Sequence, residues 1–161
     1  MKITKVDVML INPKAEDNKP WTPVGIRVYT DAGIYGDGEA AMAYGSISRG
    51  VYGAVIDFSE KIIGKDPLDT EVIWEDLYKS TFWAQNGGPV TFGAISAIDV
   101  ALWDIKAKYF GVPLYKLLGG KQRDKLRCYA SQLQFGWGPV RVGLTTAQEY
   151  ADIAKKAVSE G

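Results

Sequence analysis

The chain has 161 residues, about the length of one domain, and 47% of them are hydrophobic, enough to bury a core and too many for a disordered chain. Nineteen basic residues balance nineteen acidic ones, so no net charge draws in nucleic acid or an acidic membrane surface. Histidine is absent, which excludes a Ser-His-Asp triad, a Cys-His pair and the usual zinc sites from these residues, and the one cysteine, Cys128, has no partner in the chain.

Residues 1–11 alternate polar and apolar side chains, which predicts a strand rather than a signal peptide. No apolar run approaches the roughly 20 residues of a membrane span, so a cytoplasmic protein with no membrane partner is expected. Residues 12–20 are polar, with Pro13 and Pro20 near the ends, and read as a loop. Val24, Ile26 and Val28 alternate with Gly25, Arg27 and Tyr29 to give a second strand. The turn residues Asp31, Ala32 and Gly33 lead into a third strand over 34–39. The start of the chain therefore predicts a three-stranded antiparallel sheet.

The period then changes. After Ser46 and Ser48, which are candidate N-caps, Val51, Val55, Phe58 and Ile62 recur at helical spacing up to Gly64. Asp66 and Pro67 open a second helical segment carrying Val72, Ile73 and Leu77. Residues 85–89 break it. From Thr91 to Tyr109, the stripe Ala94, Ile98, Ala101, Leu102 and Ile105 predicts a long core helix. Pro113 starts a short helical turn that Gly119 and Gly120 end. Residues 126–131 are a strand candidate, and Thr145 with Gln148 has capping-box spacing before a helix over 147–158. The fold class is α+β, a sheet followed by a helical bundle, with a tail like the opening of a β/α repeat.

The chemistry-bearing residues have structural readings. Asp99 and Asp104 are five residues apart, roughly 140° around a helix, so they share no face. Asp104 instead stands at salt-bridge spacing from Lys108. Gly36 and Gly38 form a G-x-G without the third glycine or following helix of a dinucleotide site, and are read as allowing two strands to pack closely. Lys121, Arg123, Lys125 and Arg127 with Asp124 read as solvated loop charges. Trp74 and Trp103 fall in helices and read as packing residues. Trp21, Tyr44, Trp83 and Trp137 fall in or beside loops, where aromatics serve as ligand contacts, with plain packing the alternative for two of the four.

The stretch AISAIDVALWDIKAK at 94–108, followed by GVPLYKLLG at 111–119, is similar to the signature of the mandelate racemase/muconate lactonizing family of the enolase superfamily. The hairpin VGIRVYTDAGIYGDGEA at 24–40 resembles that family's capping-domain hairpin, and Phe82 and Trp83 resemble the acid-sugar dehydratase branches. The resemblance implies an enolase-like capping domain over 1–125, then the first strand and helix, 126–161, of a (β/α)7β barrel. It implies a Mg²⁺-dependent dehydratase that removes the proton α to the carboxylate of a sugar acid. The metal ligands and the base are expected beyond residue 161, so no catalytic or metal residue is assigned here. Trp21 and Tyr44, on the two cap loops, and Ser131, at the end of the first barrel strand, are the expected substrate contacts. A homo-oligomer is expected by the same analogy. A racemase or cycloisomerase of the family, or a stand-alone binding or assembly module, are the alternatives.

Overall fold

The computed structural model describes residues 1–11, 22–42, 47–80, 82–83, 85–136 and 142–160, which divide into two compact units, Met1–Gly120 and Lys121–Gly161.

In the first unit, β1 (Ile3–Leu10), β2 (Val24–Thr30) and β3 (Tyr35–Ala40) form an antiparallel sheet in the order β1-β2-β3. Alternation puts Val24, Ile26 and Val28 on the buried face, with Gly36, Gly38 and Ala40 beside them on β3. The register slips at Thr4, between the pairs Ile3–Thr30 and Lys5–Tyr29. This bulge returns Ile3 to the core face shared by Val6 and Val8, which simple alternation from Lys5 would not do. The third strand runs one residue later than its pattern predicts, since Ile34 closes the turn by accepting the Thr30 N–H at 3.1 Å.

Three helices cover the buried face: α1 (Ser48–Ile62), α2 (Thr70–Lys79) and α3 (Gly88–Tyr109). Val51, Val55, Phe58 and Ile62 of α1 meet Ala94, Ile98, Ala101, Leu102 and Ile105 of α3 in one core with the sheet. Ser48 is not a cap: it is the first helical residue and is buried, and Ile47 at the N-cap position makes no side-chain cap bond. The long helix starts three residues earlier than expected because Pro89 sits in its first turn, where a missing N–H costs nothing. By length and composition α3 could cross a membrane, but it is the core helix, with Ala94, Ala97, Ile98 and Ala101 fully buried. A short helix, α4 (Leu114–Leu117), follows Pro113.

Gly36 and Gly38 serve a strand–helix contact, which corrects their reading as a strand–strand feature. A Cβ on Gly36 would overlap the Ala101 carbonyl oxygen, and one on Gly38 would overlap that of Ala97. The backbones of β3 and α3 touch there, and only glycine permits it.

The second unit differs from expectation at 126–131. That segment lies in no strand ladder among the described residues, because a lone extended segment has no neighbour to accept its hydrogen bonds. It leads through Gln132, at φ 63°, into a single 3-10 turn, Leu133–Phe135. The last helix, α5 (Ala147–Ser159), is capped by Thr146 and Glu149, one residue later than the Thr145–Gln148 pair. Thr146 accepts the Glu149 N–H at 3.3 Å, while the Glu149 carboxylate accepts the Thr146 N–H at 2.8 Å.

Candidate functional site

One end of the sheet gathers the chain segments that the sequence marks for binding. Val24 stands between Leu10 and Ala40 in register, and the Ile11 N–H donates to the Pro23 carbonyl at 2.8 Å just beyond. The chain leaves β1 at Ile11, re-enters β2 from Thr22 and leaves β3 through Ala41 and Met42, all at this edge. Helix α3 runs antiparallel to β3: Gly36 faces Ala101, Gly38 faces Ala97, and Gly93 lies beside Ala41. Its N-terminal turn therefore arrives at the same end. So does the start of α1, since a Cβ on Gly93 would come 3.4 Å from a Val51 methyl. Trp21 and Tyr44 lie outside the described residues, but the described ends flanking both are rooted on this one edge.

Met42 is a residue that sequence reasoning missed. It adopts φ 77°, a left-handed conformation costing a bulky side chain about 1 kcal/mol or more, and it packs against the core. Packing against the core offsets that strain. Nothing in a methionine signals positive φ, so no pattern could have found it.

Phe82 and Trp83 precede α3 and meet edge to face at 5.2 Å, both more than three-quarters exposed. Trp83 lines an open groove of about 480 Å³ with Ala54, Asp57 and Phe58 of α1 and Thr91 of α3. Trp74 and Trp103 make contacts within their own helices: Trp74, exposed on α2, stacks on Tyr78 at 5.5 Å, and the Lys106 ammonium of α3 lies 4.9 Å from the Trp103 ring centre.

Away from the loop end, charges are engaged structurally. Arg27 donates to Asp37 through two nitrogens, at 2.6 and 3.0 Å, which holds the Asp37 carboxyl below its usual range. Asp104 and Lys108 pair at 2.6 Å as their spacing predicts, and both reach the edge of β3. Asp99 faces elsewhere. Burial, and then the nearby Glu71 carboxylate, raise its carboxyl above the usual value despite the Trp103 indole N–H. Lys121 and Asp124 form an exposed ion pair. Ser131 is exposed and belongs to the second unit, directly before left-handed Gln132.

Among the described residues no group of three or more His, Cys, Asp or Glu converges as metal ligands would. The described residues alone do not provide a ligand set for a bound Mg²⁺.

Residues 16–119 match the mandelate racemase / muconate lactonizing enzyme N-terminal domain. The chain belongs to that family. It is 42% identical over 130 residues to the D-galactonate dehydratase of Pectobacterium atrosepticum, covering 81% of this chain and 31% of that protein. The crystal structure of a putative dehydratase from Zymomonas mobilis ZM4 superposes with a TM-score of 0.93 at 50% identity, covering 99% of this chain and 40% of that one. An enolase from Pantoea ananatis, crystallised with bound D-gluconate and Mg, superposes with a TM-score of 0.65 at 38% identity over 76% of this chain and 28% of that one. The three-stranded sheet and its helices are the capping-domain fold of this family, and the chain spans about a third of the length of the curated relatives it matches.

Proposed function

We propose that this chain is the capping, substrate-facing part of a Mg²⁺-dependent acid-sugar dehydratase, with residues 126–161 opening its catalytic barrel. The observation that carries this reading is the match to a putative dehydratase over 99% of the chain, which includes the second unit. The dehydratase relatives support the reaction class: loss of water from a sugar acid after removal of the proton α to its carboxylate, giving a 2-keto-3-deoxy acid. The bound D-gluconate and Mg of one structural neighbour support the substrate class and the ion. When bound, the metal would supply charge stabilisation for the enediolate, on ligands outside this chain.

What this chain contributes is the loop end. Trp21 and Tyr44 contact the distal part of the substrate, and closure of their loops over the barrel mouth excludes water from the reacting centre. Ser131 faces the substrate from the carboxyl end of the first barrel segment, where barrel sites lie. The domain boundary falls near residue 125, and the assembled enzyme is a cytoplasmic homo-oligomer.

The polypeptide produced from the gene that encodes this chain tests the reading. Incubated with Mg²⁺ and a panel of aldonic and aldaric acids, it should release 2-keto-3-deoxy acid from at least one sugar acid. The isolated 161-residue chain should release none. Racemisation or ring formation without loss of water would replace dehydration with the sister reactions of the family, and turnover by the isolated chain would overturn the division of labour.

A further inference from the structure

Among the described residues, the outer edge of β1 is open from Val6 to Val8. Asp37 sends its N–H outward to Asp104, so Arg27, its register partner, turns its own backbone groups toward Asp7 on β1. Alternation then directs the N–H and carbonyl groups of Val6 and Val8 away from the sheet. No described backbone group meets them, whereas Ile3, at the start of the same edge, bonds Gly64 and Lys65 at 2.8 and 2.9 Å. Beneath the open stretch runs a groove of about 450 Å³, floored by Val6, Val8, Tyr52, Ile56 and Ile63. Such an edge is a template for another strand.

The charges on the outer face of the sheet select the occupant. Asp37, Arg27 and Asp7 stand in one cross-strand row, negative, positive, negative, and Lys5 lies 2.7 Å from Asp7 on the same strand. We infer that β1 pairs antiparallel with β1 of a second copy of this chain, Val6 opposite Val6, joining the two sheets into one of six strands. In that register Lys5 faces the second copy's Asp7, and Asp7 faces the second copy's Lys5. The row continues across the join as Asp37, Arg27, Asp7 and the second copy's Lys5, with alternating sign throughout. Placing Asp7 opposite Asp7 instead, one step along, sets like charges together. The second copy's Val6 and Val8 side chains lie over the groove, on Tyr52, Ile56 and Ile63. The ladder ends at Thr4, because Gly64 and Lys65 hold the edge at Ile3.

Sedimentation equilibrium of this chain and its variants tests the pairing. The unaltered chain should dimerise. Lys5→Asp and Asp7→Lys should each raise the dimer dissociation constant about tenfold, because each sets two pairs of like charges across the join. The double swap Lys5→Asp/Asp7→Lys should restore dimerisation. A monomeric chain, singles that dimerise as well as the parent, or a double variant as weak as the singles would overturn the proposal. Register has its own test in a Cys128→Ser background, which needs no change of charge. Val6→Cys should form an intermolecular disulfide under mild oxidation, since directly opposed residues lie about 5.5 Å apart, while Val8→Cys should not. Equal cross-linking at both positions, or none at Val6→Cys, would contradict the register.

Discussion

The Asp104 carboxylate accepts the backbone N–H of Asp37 at 3.0 Å, so a helix side chain closes a bond that the edge strand would otherwise leave to solvent. Four residues on, the Lys108 ammonium donates to the Tyr35 carbonyl at 2.7 Å. The salt-bridge pair of α3 thus caps the free edge of β3, and its spacing matches the two-residue step between outward backbone groups on a strand. Asp104→Ala should lower stability to denaturant by about 1 kcal/mol, the net worth of such a bond. A loss no larger than that of Lys79→Ala, whose pair with Glu75 stays on its own helix, would deny the edge a role.

The close approach of β3 and α3 gives a sharper contrast. Gly38→Ala should destabilise the fold by about 3 kcal/mol or more, because the obstructing atom is a helix backbone carbonyl that cannot turn aside. Gly53→Ala, in the middle of α1 with open space around it, should stabilise by about 0.5–1 kcal/mol. Thermal unfolding of the two variants should shift in opposite directions.

Glu149 ties the start of α5 to pH. The backbone N–H of Thr145, then that of Thr146, then the Thr146 hydroxyl hold its carboxyl at about 2, against an ordinary 4.5. A depressed carboxyl contributes stability above the unfolded value and loses it as pH falls toward the folded one. The first turn of α5 should therefore loosen between pH 4.5 and about 2, seen as faster amide exchange at Thr145 and Thr146. Glu149→Gln should flatten that dependence.

Asp99 has the opposite sign. Its raised carboxyl means the charged form is disfavoured in the folded protein, so its stability contribution is present below the ordinary 3.8 and lost as pH rises through the raised value. Asp99→Asn should raise the melting temperature at pH 7, and the gain should vanish by pH 3. An equal gain at both values would show that the substitution acts through packing rather than charge.

Where the sequence predicts the fold well, one physical signal dominates. The hairpin has clean alternation around Asp31, Ala32 and Gly33, and α3 has an unbroken apolar stripe. The misreadings occur where tertiary partners override local pattern. Ser48 looks like a cap but is buried as the first helical residue, and the Thr4 bulge turns a simple alternation. Thr145 and Thr146 offer two nearly equivalent caps, and the Glu149 carboxylate favours the second. Residues 126–131 carry strand-forming side chains but lie in no ladder among the described residues, because a strand needs a neighbour. The candidate site was legible only in its loop positions. Trp21 and Tyr44 are expected contacts by residue type and place alone, whereas the meeting of the described strand ends that flank them at the Val24 edge depends on register, and the strain at Met42 on packing.

The proposed role of the loop end of this cap is to read a sugar acid. Its most direct test exchanges residues 12–21 of the gene's full polypeptide for the corresponding loop of the Pectobacterium D-galactonate dehydratase, then compares kcat/KM across sugar acids. The preference between two acids should shift about tenfold or more, with the melting temperature unchanged. An unchanged preference in a folded, active exchange variant would contradict it.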